Sequence, residues 1–122
     1  MKNAINWFEI PVEDFDRAKK FYETVMEWEI KDGDFGNWKM GFFPSYEGKV
    51  SGAIVHGPGY EPSSKGSLVY LNCHPNMDAY LTRVEAAGGK ITVPKTQISP
   101  EIGYWACFSD SEGNRVAFHS QG

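Results

Sequence analysis

The sequence predicts an α+β protein built from two tandem βαβββ modules. Three observations carry that expectation. Residues 5–30, INWFEIPVEDFDRAKKFYETVMEWEI, read as a strand, a capped amphipathic helix and the start of a second strand. A degenerate copy follows at residues 67–92, SLVYLNCHPNMDAYLTRVEAAGGKIT, and self-similarity at such a period marks a repeated unit. Between the copies, residues 57–66, GPGYEPSSKG, carry Gly, Pro and Ser without apolar periodicity and read as a linker. Module one is therefore expected over 4–56 and module two over 67–119, in one domain spanning 1–122.

In module one, residues 4–11 alternate and are rich in bulky types, as a strand requires, and Pro11 marks its end because proline has no N–H for a ladder. Asp14 is the expected N-cap, its carboxylate meeting the open amides of a helix start. Phe15, Ala18, Phe21, Tyr22, Val25 and Met26 recur at helical spacing, which leaves Glu13, Asp16, Lys19, Lys20 and Glu23 in water. Strands are predicted next at 28–31, 38–43 and 50–55, separated by the turn chemistry of DGDFGN and PSYEGK.

Module two repeats the plan. Its first strand is expected at 68–73, its helix face at Met77, Tyr80, Leu81 and Val84, and its helix stop at Gly88-Gly89. The last three strands are placed at 90–93, 102–108 and 114–119, with Asp110 to Asn114 as the tight turn between the final two. The copies keep step: Asp16 and Asp78, like Glu23 and Glu85, stand 62 apart.

Composition bounds the function. With 41% hydrophobic and 23% charged residues the chain is globular rather than disordered. A net charge of -4 with scattered Lys and Arg leaves no electrostatic footprint for nucleic acid. No window approaches a membrane span, and the amino terminus lacks the apolar core of a secretory signal, so a cytoplasmic protein without a membrane partner is expected. Cys73 and Cys107 lie in apolar, strand-like runs and read as two buried thiols.

Three stretches, IPVEDFDRAKKFYE, DAYLTRVEAAGGKI and the closing CFSDSEGNRVAFH, resemble the vicinal oxygen chelate superfamily of glyoxalases, bleomycin-resistance proteins and extradiol dioxygenases. The last is similar to the family's Asp-Pro-x-Gly-Asn ending, with Ser111 in place of proline. The resemblance spans residues 4–119 and implies two curved sheets forming a cup, with the helices outside, the ligand site on the concave face and commonly a homodimer. For catalytic members it also implies a divalent metal held by His, Glu or Gln at four related strand positions. In this chain those positions fall on Trp7, Gly52, Ala117 and one of Leu68 and Val69, none of which is a ligand. No cofactor is therefore expected at the family position; a displaced divalent-metal site is the alternative.

Strand alternation supplies the lining of the cup. If Phe8, Ile10 and Val12 face the helix, Trp7 and Glu9 face the cavity, and the same argument adds Tyr70, Asn72, Arg115, Ala117 and His119. Trp105 could join them, its strand's phase being open. Aromatic faces beside the Glu9 carboxylate suit a flat or cationic small-molecule ligand. Plainer readings stand beside this one: Glu9 pairing with a cross-strand Lys or Arg, His119 as a solvated strand end, Trp7 and Tyr70 filling space, and His56 and His74 exposed at loops. No Gly-rich phosphate loop or nucleophile elbow is present. The expectation is a small-molecule binding protein without the family metal. The alternatives are a lyase or isomerase with shifted ligands, an enzyme using Glu9 or His119 as a general base, or a module that recognises a protein or peptide.

Overall fold

Asp14 opens the first helix as expected: in the computed structural model, which describes residues 3–122, its Oδ1 accepts the Arg17 N–H at 3.0 Å. Helix α1 (Phe15–Met26) buries all six residues of the apolar stripe and ends at Glu27 in the left-handed region. Strand β1 (Trp7–Pro11) precedes it, and β2 (Lys31–Phe35), β3 (Trp38–Phe42) and β4 (Ser51–His56) follow. The second half runs β5 (Val69–Asn72), α2 (Asp78–Ala86), β6 (Lys90–Ser99), β7 (Gly103–Ser109) and β8 (Arg115–Ser120). Each half forms a four-stranded mixed sheet, in the orders β1-β4-β3-β2 and β5-β8-β7-β6. The first strand of each half pairs in parallel with its last, and the remaining pairs are antiparallel.

Helix α2 is the weaker copy. Its N-cap, Met77, makes no side-chain cap bond, and only Val84 on it is fully buried, with Tyr80 and Leu81 half-buried. Gly88, at φ +95, supplies the expected left-handed stop. Both helices contribute to one apolar cluster that joins Ile10, Phe21, Tyr22 and Phe43 of the first half to Leu71, Phe108 and Phe118 of the second. Cys73 and Cys107 are free and buried, and burial pushes the Cys73 thiol up to about 12.

Polar ties from the second half hold α1 along its length. At its start, the Glu112 carboxylate accepts the backbone N–H groups of Glu13 at 3.0 Å and Asp14 at 2.7 Å, and pairs with Arg17 Nε at 2.7 Å. In its middle, the buried Tyr22 hydroxyl donates to Asp110 at 2.6 Å. At its end, Arg83 Nε donates to the Val25 carbonyl at 2.8 Å. The amide donors at a helix start would otherwise be unsatisfied, so Glu112 acts as a cap delivered from a distant turn.

Two strands depart from expectation. The strand expected at 28–31 lies at Lys31–Phe35 instead, in the stretch read as a turn, and Gly36-Asn37 alone makes the hairpin. Trp28 and Ile30 are drawn into the core as irregular chain, Trp28 stacking 4.9 Å from Phe43 and Ile30 donating its N–H to Glu23. Strand β6 runs ten residues rather than four, passing through Pro94 with register shifts, as only an edge strand permits.

Gly52 also needs correction. It pairs with Phe8 on the helix-facing side of its sheet, not on the open side with Trp7. A methyl group there would run into the Phe8 carbonyl oxygen and ring. Gly52→Ala is expected to lower stability by about 1–3 kcal/mol through overpacking, measured as a shift in the chemical-denaturation midpoint; an unchanged midpoint would mean that β1 can move away freely.

Candidate functional site

The faces of the two sheets turned away from the helices carry the candidate residues. On the first sheet, Trp7 pairs with Ser51, Glu9 with Ala53, and Ala53 with Phe42, which places these side chains on one face. On the second, Tyr70 pairs with Ala117 and Asn72 with His119, while His119 pairs with Trp105. The register thus settles the phase of Trp105: it shares the open face with Tyr70 and His119.

Glu9 is the best-defined polar group on the first face. Its Oε2 accepts the Trp7 indole N–H at 3.3 Å and its Oε1 accepts the Tyr60 hydroxyl at 2.5 Å. No Lys or Arg pairs with it among the described residues, so the plain reading of a cross-strand ion pair gives way. The hydrogen bond to Glu9 is also the main reason the Tyr60 hydroxyl is held above its ordinary pKa. Trp7, 41% exposed, stands 6.2 Å from Phe42, and Phe42 meets Phe35 edge-on at 6.1 Å.

Tyr60 belongs to the linker, which crosses this face as a strap. Trp38 Nε1 donates to the Pro58 carbonyl at 2.9 Å, and the Ser63 N–H donates to Asn114 at 3.0 Å. Sequence reasoning missed Tyr60 because a linker has no period from which to read a facing side chain. The only available signal was an aromatic residue among Gly, Pro and Ser.

On the second face, Tyr70 is 51% exposed and lies 6.5 Å from Trp105. Asn72 and His119 are engaged locally. Asn72 Oδ1 accepts the His74 N–H at 2.9 Å, and His119 Nε2 donates to the Ile102 carbonyl at 2.7 Å. His119 is half-buried and held by backbone rather than solvated, while His56 and His74 are exposed as expected. No hydrogen bond or ring contact among the described residues joins Trp7 and Glu9 to Tyr70, Asn72, Trp105 and His119. The halves meet instead at a seam, where a cavity of about 200 Å³ lies between β1, the linker and the beginnings of β5 and β8. Glu9, Glu61, Ser63, Ser67 and Arg115 supply its polar lining.

This architecture has a family counterpart. The model of the Glyoxalase/Bleomycin resistance protein/Dioxygenase superfamily matches residues 4–118. The chain belongs to this superfamily. Among curated proteins none matches it. Among solved structures, a glyoxalase/bleomycin resistance protein from Streptomyces sp. CB03234 is 23% identical with a TM-score of 0.72, covering 93% of this chain and 97% of that one. TnmS3, an antibiotic binding protein from the same organism, is 22% identical with a TM-score of 0.64, covering 99% of this chain and 98% of its own. Glyoxalase I from Zea mays is 15% identical with a TM-score of 0.70, over 95% of this chain. The chain spans about half the length of the maize enzyme, 44% of it. At these identities the likeness speaks for the fold.

The superfamily's metal can be tested against the residues present. The register moves one of the four expected positions, Gly52, to the helix side, and of the two candidates in the fifth strand it puts Val69 there too, with Leu68 lying just before β5. The open-face places are Trp7, Ser51 or Ala53, Tyr70 and Ala117. An indole, a phenol, a methyl group and at best one hydroxyl are not a donor set for a divalent ion, which takes imidazole, thiolate, carboxylate or amide-carbonyl groups. Among the described residues no three His, Cys, Asp or Glu side chains are grouped to hold one. Nor is any helix among them long and apolar enough to cross a membrane.

Proposed function

We propose that this superfamily member binds a flat organic molecule bearing a cationic group, on the open face around Trp7 and without the superfamily's divalent metal. The observation that carries this reading is Glu9, a carboxylate oriented by Trp7 and Tyr60 and lacking any cationic partner of its own among the described residues. Ring faces attract a cation through their quadrupole, and the carboxylate adds to that attraction. The donor set at the four family positions supports a metal-independent mode, and the antibiotic-binding relative of the same fold supports small-molecule capture. The reading extends to a homodimer, which would cover part of the exposed rings of Phe35, Trp38 and Tyr70.

Calorimetric titration with methylacridinium and its neutral parent acridine tests the site. The cation is expected to bind about tenfold more tightly, the size of a cation–π and carboxylate contribution. Trp7→Ala should weaken both ligands, whereas Glu9→Gln should erase the difference between them. Binding that survives both substitutions unchanged, or that disappears on adding a chelator, would sink the proposal.

A further inference from the structure

The seam cavity is lined by charges of both signs. Glu9 and Glu61 stand on it, and so does Arg115 at the start of β8. Glu9 is already held by Trp7 and Tyr60, but neither Glu61 nor Arg115 has an ion-pair partner among the described residues, including each other. At about 200 Å³ the cavity is smaller than the roughly 300–1,000 Å³ that encloses a drug-sized ligand. It therefore has room for one end of a molecule. Ser63, Ser67 and Asn114 add short polar side chains, while Ile10, Val69 and Val116 floor it with apolar surface.

We infer that the seam cavity takes a zwitterionic head group, an ammonium beside a carboxylate as in a free amino acid, while the aromatic body of the same molecule lies against Trp7. The ammonium sits towards Glu9 and Glu61 and the carboxylate towards Arg115, whose planar fork matches carboxylate geometry. The inference rests on the aromatic site proposed above and adds the chemical class of the ligand's other end. An acid and a base that are kept apart across a small cleft discriminate against ligands bearing a single charge, because such a ligand leaves one protein charge unpaired.

The test uses three probes with the same ring: L-tryptophan, tryptamine, which lacks the carboxylate, and indole-3-propionate, which lacks the ammonium. In calorimetric titrations of the intact protein, L-tryptophan is expected to bind about tenfold more tightly than either, one charge-assisted contact being lost in each comparison. Arg115→Gln should reduce L-tryptophan to the level of tryptamine, Arg115→Lys should restore part of the loss, and Glu61→Gln should move it part of the way towards indole-3-propionate, Glu9 still facing the ammonium. Equal binding of L-tryptophan and tryptamine, with Trp7→Ala still weakening both, overturns the seam inference and leaves the aromatic reading standing. Indifference of L-tryptophan binding to Arg115→Gln and Glu61→Gln also overturns it. No binding by any probe, or none that responds to Trp7→Ala, overturns both.

Discussion

Glu112→Ala is expected to destabilise the protein by about 2–4 kcal/mol, because it strips the start of α1 of a buried charged acceptor. The Glu112 side chain is fully buried and receives the Glu13 and Asp14 amides, Arg17 and the Ser111 hydroxyl. Arg17 is half-exposed, so most of the loss should come from the two amides rather than from the ion pair. Glu112→Gln, which keeps an acceptor and loses the charge, should fall in between. Burial alone would raise the Glu112 carboxyl, but Arg17 and the amide and hydroxyl donors together hold it at about 2, against an ordinary 4.5. A carboxyl lowered by folding stabilises the fold fully above its unfolded pKa. That contribution is lost as pH falls from about 4.5 towards about 2. Urea denaturation at pH 7 and pH 3 should therefore show a smaller gap between wild type and Glu112→Ala at the lower pH. Equal midpoints at pH 7 would show that the turn does not cap the helix.

Phe108→Ala should cost more, about 3–5 kcal/mol, as for other large-to-small changes at fully buried phenylalanines. Phe108 is wholly inaccessible, lies 4.6 Å from Phe118 and 6.1 Å from Phe21, and so fills the space between α1 and the second sheet. Differential scanning calorimetry reads the effect. A loss below about 1 kcal/mol would mean that the neighbouring rings collapse into the vacancy, which a close-packed interior resists.

Legibility in the sequence followed how local each signal was. Helix α1 was readable because its cap at Asp14 and its stripe from Phe15 to Met26 are written within one stretch. The turn from Asp110 to Asn114 was readable for the same reason. Strand β2 was not: Lys31, Asp32, Gly33 and Asp34 are types that strands disfavour, and their place on a sheet edge turns those charges into protection against unwanted pairing. Strand β6 was cut short at Pro94 because its edge position, where proline is tolerated, is a tertiary fact.

At the site, alternation placed Trp7, Glu9, Tyr70 and His119 on the open faces. The metal positions carried over from the family resemblance transferred less well: Gly52, placed by a fixed offset from Ala117, faces the helix side, because an offset wrong by one residue exchanges the two sides of a strand. The partners of Glu9 and the capping role of Glu112 depend on residues far away in the chain, 51 positions in the case of Tyr60 and 98 in that of the Asp14 amide. Such pairings are invisible until the chain is folded.

The strap formed by the linker has an evolutionary side. It brings Tyr60 to Glu9 and lines the seam with Glu61 and Ser63, yet it adds no strand to either sheet. Substitutions on an exposed connection of this kind usually shift stability by no more than about 0.5 kcal/mol, and loops accept insertions that strands refuse. If the proposed ligand binds here, its preference can be changed by rewriting a ten-residue connection, while the core shared by the two halves is left untouched.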